Sequence, residues 1–183
     1  MKRRTLRVLL AMLVALPVAA LAEPASAAPV DLVCPFAMRV DLNPGLTLFP
    51  QTIQIGGQAN AGTTLSPLTP CTSVLTGVPY VGASGPVIGS GTLACVTVGA
   101  AGLTGSASGT VPLTFDNGDT GTINWSITLG GAVPVVTGTI SGGTLDGSTL
   151  ALIPAGVTGL TGNCLLAPVT SFTIVGLAVV IRL

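Results

Sequence analysis

Histidine is absent from this 183-residue sequence, and beyond residue 27 lysine and glutamate are absent as well. Arg39 and Arg182 are then the only cations, set against Asp31, Asp41, Asp116, Asp119 and Asp146, for a net charge of −3. Two cations cannot neutralise a run of phosphates, which excludes nucleic-acid binding, and they cannot form a polybasic patch for anionic lipid. No remaining side chain has an ordinary pKa between about 5 and 8, so stability is expected to be nearly flat across that window. Tyr80 and Trp125 are the only tyrosine and tryptophan and aromatics make up 3% of the chain, too few for the girdles of a membrane barrel or for sugar-stacking platforms.

The same scarcity bears on catalysis. A serine nucleophile needs a neighbouring base, and only aspartate is available. The nearest approach to a nucleophile elbow, Gly82-Ala83-Ser84-Gly85-Pro86, has proline where the second glycine belongs. Glycoside hydrolysis needs two opposed carboxylates, whereas Asp116 and Asp119 flank a single turn. The expectation is a protein that is not an enzyme, with no catalytic residue, cofactor or metal ligand.

What is present begins with four cations in Met1–Arg7 ahead of an apolar run, Val8–Ala22, and a small-residue site at Ala25-Ser26-Ala27. This is the layout of a secretory signal peptide. The run of 15 residues, interrupted by Pro17, is short for a membrane span. Residues 1–27 are therefore read as a signal peptide, with Arg3-Arg4 a loose match to twin-arginine export. Residues 28–183 form one domain, secreted or held at the cell envelope.

All four cysteines, Cys34, Cys71, Cys95 and Cys164, fall in that domain. An even count in an exported chain reads as two disulfides with three connectivities. Without a close C-x-x-C pair or any histidine, zinc is disfavoured. The reading leans to Cys71–Cys95 and Cys34–Cys164.

Val30 to Leu42 alternates with period two, as a half-buried strand does. Pro35 falls on its outward parity, which places the strand at an edge or start, and Asn43-Pro44-Gly45 ends it. Further strands are expected at Leu46–Phe49, Thr52–Ala59, Pro79–Val81 with Val87–Ile88, and Gly91–Val98. Others follow at Gly109–Phe115, Thr120–Leu129, Val133–Ile140, Ser148–Ile153 and Thr170–Ile181. Glycine and proline clusters separate them, and no helical period of useful length occurs. The expected fold is all-β, an antiparallel β-sandwich or flattened β-barrel of about 8–10 strands, stabilised by disulfides. In the final strand Phe172 and Ile174 share one face, and Val175, Leu177, Val179 and Ile181 the other. A strand apolar on both faces is central or covered; if bare, it is a candidate interaction strand for a partner, for lipid or for self-association.

The stretch Phe115–Gly130, FDNGDTGTINWSITLG, carries several local signals. Asp116 and Asp119 do not match a calcium loop, which ends on a glutamate. The triplet Asp119-Thr120-Gly121 lacks the buried second carboxylate of an aspartic protease. The sequon Asn124-Trp125-Ser126 lies mid-strand. A hairpin remains. Val111, Leu113 and Phe115 share a face with Ile123, Trp125, Ile127 and Leu129 only if the loop has an odd number of residues. Asn117-Gly118-Asp119 as the loop would pair Leu113 with Ile123 and Val111 with Trp125.

The turn Phe115–Thr120, the stretch Gly138-Thr139-Ile140-Ser141-Gly142, the early Cys34 and the late Cys164 resemble features of small exported β-rich proteins of actinobacteria. The resemblance spans most of the domain and implies location and β architecture, but no activity. The expected function is a structural or interaction role in the cell envelope or medium. The alternative is binding of an apolar small molecule or lipid inside a small barrel.

Overall fold

A computed structural model describes residues 30–73, 80–95, 102–130 and 135–182. The expected signal peptide lies outside these residues. Ten strands follow in chain order: β1 (Val30–Leu46), β2 (Gln51–Gly62), β3 (Thr72–Ser73), β4 (Gly82–Pro86) and β5 (Ile88–Cys95), then β6 (Leu103–Phe115), β7 (Thr120–Leu129), β8 (Val135–Ser141), β9 (Thr149–Thr161) and β10 (Val169–Ile181). No helix longer than a single 3₁₀ residue occurs among the described residues.

Every pairing is antiparallel, and β1 joins both β2 and β10. The order β1-β2-β5-β6-β7-β8-β9-β10 therefore returns to β1 and closes an eight-stranded barrel. Closure leaves no edge strand in the ring, which removes the usual template for edge-to-edge aggregation. β4 continues the lane of β5 beyond Val87, bridging the far ends of β2 and β6. β3 lies outside the ring and adds to β1 at Leu32 and Val33.

The alternation in β1 holds, with Leu32, Cys34, Phe36, Val40 and Leu42 buried. Its expected edge position does not. β1 has neighbours on both sides, and Pro35 falls in the gap between its pairing to β3 and its pairing to β2 from Phe36 onward. That gap is where a residue lacking an N–H is tolerated. Asn43-Pro44-Gly45 does not end the strand, which resumes at Leu46 opposite Val169 after a shift in register.

The loops fall into two sets. At one end lie the β2–β4 connection, the β6–β7 turn and the β8–β9 loop, beside Val30 and Ile181, which pair with each other. The β1–β2 and β9–β10 loops occupy the other end. One disulfide pins each end: Cys34–Cys71 at the first and Cys95–Cys164 at the second. The expected pairing of Cys71 with Cys95 and Cys34 with Cys164 is therefore wrong. β3 runs alongside β1, which carries Cys71 to Cys34. The end of β5 is tied to the β1–β2 loop by the Cys95 N–H donating to the Thr47 carbonyl at 2.8 Å, beside the loop that holds Cys164.

The β6–β7 hairpin has three loop residues, but they are Asp116-Asn117-Gly118. Phe115 N–H donates to the Asp119 carbonyl at 2.9 Å, and the register sets Val111 opposite Ile123 and Gly109 opposite Trp125. The shift follows from Gly118, whose φ of 86° is left-handed. In a three-residue hairpin the left-handed residue comes last.

Candidate functional site

Alternate residues of all eight strands point into the barrel. Where Trp125 points inward, the neighbouring strands carry glycine. A Cβ on Gly89 would lie 2.5 Å from Trp125 Cζ2, and one on Gly109 would lie 2.8 Å from the same atom. These two bare positions make room for the indole across the lumen. Its Nε1 is buried and has no hydrogen-bond partner among the described residues.

Met38 and Trp125 divide the remaining space in two. Toward the first end is a cavity of about 90 Å³, walled by Leu32, Phe36, Val111, Leu113, Leu150 and Val180 among others, and capped by Leu145 of the β8–β9 loop. Toward the second end is a space of about 30 Å³ among Val40, Leu42, Ile55, Leu93, Phe172 and Ile174. Sites for drug-sized ligands run to about 300–1,000 Å³, so the barrel is filled chiefly by its own side chains.

The last strand answers to its two-faced sequence by unbroken alternation. Phe172, Ile174, Ala178 and Val180, all of one parity, point inward, and the register shift between Val175 and Gly176 is taken up by an extra residue, Ala155, on β9. Val175, Leu177, Val179 and Ile181 lie on the outer wall. Their cross-strand neighbours there include Val33, Pro35 and Ala37 on β1 and Ala151 and Ile153 on β9. Leu177 is 44% exposed and Ile153 56%. Across the barrel the described outer wall is mainly polar, with Ile88 of β5 its exposed large hydrophobic side chain. The outer wall of β5 to β8 presents Ser90, Thr92, Ser106, Ser108, Ser126 and Thr137, with Ser126 and Thr137 hydroxyls 3.2 Å apart.

Polar chemistry gathers at the first end. The Asp116 carboxylate accepts from the backbone N–H groups of Val81 and Gly82, each at 3.2 Å. Tyr80 stacks on Phe115 with ring centroids 4.3 Å apart, and its hydroxyl donates to Asp119 Oδ2. Asp119 also accepts from Thr144 N–H at 3.0 Å and Thr120 N–H at 2.9 Å. One carboxylate thus ties together the β2–β4 connection, the β6–β7 turn and the β8–β9 loop. Asp31 is buried and forms an ion pair with Arg182, 3.1 Å from Oδ2 to Nη2, without the alignment of a hydrogen bond. Arg182 also donates to the Thr144 carbonyl at 3.1 Å. No cluster of three or more His, Cys, Asp or Glu side chains suited to a metal occurs among the described residues.

The Tyr80 hydroxyl, followed by the backbone donors, holds the Asp119 carboxyl down at about 2, below its ordinary 3.8. Burial first, and then the bond to Asp119, raises Tyr80 above its ordinary 10.0. A lowered carboxyl pKa contributes stability that is complete above about pH 4 and is lost as pH falls through about 2. A raised tyrosine pKa contributes below pH 10 and is lost as pH rises past it. The melting temperature is therefore expected to hold level from pH 5 to 8 and to fall between pH 4 and 2. Asp119→Asn is expected to melt lower than the parent at pH 7 and to show a shallower acid decline. An unchanged acid slope in that variant would show that Asp119 does not fasten this end.

Sequence reasoning singled out Asp116 and Asp119 but missed Tyr80 and Arg182 as their neighbours in function. Tyr80 and Val81, expected in a strand, lie outside any strand in the β2–β4 connection, and Arg182 meets Asp31 only because the barrel closes. No protein-family model, curated protein or solved structure matches the chain.

Proposed function

We propose that this is an exported, non-catalytic barrel that acts through its outer surface in the cell envelope or the surrounding medium. One observation carries the reading. The lumen is occupied by the chain's own side chains, while the outer strip on β9, β10 and β1 leaves Leu177 and Ile153 uncovered. The two disulfides suit a non-cytoplasmic setting, as do the amino-terminal charge pattern and the resemblance to small exported actinobacterial proteins. The polar outer wall of β5 to β8 argues against insertion across a bilayer, where every strand must face lipid. Few ionisable groups and their use as backbone fastenings argue against acid–base chemistry.

A second reading rests on the 90 Å³ cavity, whose lining is apolar apart from Asn60. A barrel of eight strands can enclose one small ligand. Native mass spectrometry of protein purified from its own host separates the two. The surface reading expects the bare mass of the disulfide-bonded chain. A retained small molecule, held stoichiometrically, would overturn it in favour of the lumen.

A further inference from the structure

The seven charged side chains beyond residue 27 are unevenly placed. Asp31, Asp116, Asp119, Asp146 and Arg182 sit at or beside the first end of the barrel, while Arg39 and Asp41 pair with each other on the wall of β1 at 3.1 Å. The second end has none. Its described loops, Thr47–Pro50 and Gly162–Pro168, contain no Asp, Glu, Lys or Arg, and the sequence has none at residues 96–101 or 131–134.

On that uncharged end four large apolar side chains stand out from the barrel: Leu48, Phe49, Leu165 and Leu166. Phe49 is 77% exposed and Leu166 85%. Their loops are held rather than loose. Thr47 accepts from Cys95 N–H at 2.8 Å, and Cys95 is bonded to Cys164, so one residue of β5 staples both loops side by side. Asn163 Oδ1 accepts from Leu166 N–H at 2.8 Å and Ala167 N–H at 3.2 Å, and Phe49 N–H donates to Thr47 Oγ1 at 3.3 Å. Holding side chains of this size in water has no benefit to the fold, since none of the four packs into the core.

We infer that the second end of the barrel docks by dipping Leu48, Phe49, Leu165 and Leu166 into the apolar layer of a lipid surface. This rests on the surface reading above and names its partner. Charge supports a lipid over a protein: the end offers no ion-pairing group, and the net charge of −3 is carried away from it, so insertion strips water from no ionised side chain. Shape supports it too. The four side chains protrude, and a deformable layer receives protrusions without a matching surface. A second copy of the chain needs about 800 Å² per partner, more than these four side chains expose, with Leu48 only 42% and Leu165 59% accessible. Penetration of about 5–10 Å, to the boundary of headgroups and acyl chains, is what such a tip can reach. Leu65 and Leu68 are also exposed, but at the first end, among the carboxylates.

The inference fixes how binding depends on lipid. With no cation at the tip, attachment is expected to be indifferent to lipid charge and to salt. The test is flotation of the oxidised protein, residues 28–183, with vesicles of phosphatidylcholine and with vesicles containing phosphatidylglycerol. Equal recovery on both, unaltered by raising salt, is the expected result. Phe49→Asp combined with Leu166→Asp is expected to lower the bound-to-free ratio at least about tenfold, while Leu68→Asp at the opposite end leaves it unchanged. Both variants should keep the parent's Trp125 emission and melting temperature, since the altered side chains lie outside the core. Absence of flotation, binding only to the anionic vesicles, or equal binding by the double variant would each overturn the docking tip. With a bare mass in native spectrometry, those outcomes would still leave the surface reading standing. A lipid-bound mass that persists in the Phe49→Asp, Leu166→Asp variant would place the lipid in the lumen and remove the surface reading itself.

Discussion

Serine in place of Cys95 and Cys164 is expected to lower the melting temperature by roughly 8–16 °C, and the same change at Cys34 and Cys71 by a similar amount. The loops closed span 69 and 37 residues. In the chain-entropy account a loop of either length is worth about 4 kcal/mol, with the longer slightly ahead. Both pairs are buried, so the serine variants also leave polar hydroxyls in apolar surroundings. The two losses should differ in character. Cys34–Cys71 ties β3 and its loop to the first end, so its removal should free that segment to proteolysis first. Cys95–Cys164 joins the end of β5 to the β9–β10 loop, so its removal should loosen the second end as a unit. Mapping of disulfide-linked peptides should return these two pairs. Recovery of Cys71 linked to Cys95 would contradict the strand order from which the account is built.

A single methyl group on the inner wall should do comparable damage. At Gly109 a Cβ would stand 2.0 Å from the Ile88 carbonyl oxygen as well as 2.8 Å from Trp125. At Gly89 the nearest atom is Trp125 Cζ2 at 2.5 Å, with the Ser108 carbonyl oxygen at 2.6 Å. Neither approach is survivable without moving backbone, and overpacking of this kind costs about 3 kcal/mol or more. Gly109→Ala is therefore expected to melt some 10 °C lower, while Ser108→Ala, next in sequence but on the outer wall, stays within a degree or two. Trp125→Leu should separate the two causes. Combined with Gly89→Ala it should recover part of the loss, because the indole is the nearest obstacle there. Combined with Gly109→Ala it should recover little, because the carbonyl remains. Equal coupling at both positions would mean that the indole does not lie across this wall.

Periodicity carried the reading where one strand's pattern was self-contained. The alternation of Val30 to Leu42 and of Ile123 to Leu129 placed the inward faces of β1 and β7 correctly. It failed where a strand bends. β9 runs to Thr161, yet Pro154, Gly156 and Gly159 read as turn residues and hid its second half. The lane of β4 and β5 is broken at Val87 and rich in glycine, so Gly82 to Pro86 did not register as a strand. In β10 plain alternation keeps Val175, Leu177, Val179 and Ile181 on one wall, and the opposed faces were legible, while the bulge at Ala155 of β9, opposite Gly176, was not. The hairpin at Asp116 was off by one residue because parity requires an odd loop but does not say where the left-handed glycine sits.

The same division holds at the site. The uncharged character of the chain was visible at once, and so was the excess of apolar side chains in the last strand. The disulfide partners, the Asp31–Arg182 pair and the lane of glycine facing Trp125 were not, because each arises from segments that meet only when the ring closes. Loop-closing contacts of that kind have no signature in local sequence. Leu48-Phe49 and Leu165-Leu166 illustrate the point: two short apolar pairs over a hundred positions apart become one tip through Cys95.

Ring closure is therefore the claim on which the rest depends, and it is read most directly from nuclear Overhauser contacts made by β1. The account requires Val33 to show contacts to Val179 across β10, and Met38 to show contacts to Ala59 across β2 as well as to Ile174 across β10. Contacts to β10 alone, with the amides of β1 exchanging freely on the side that should face β2, would mean an open sheet and would contradict it.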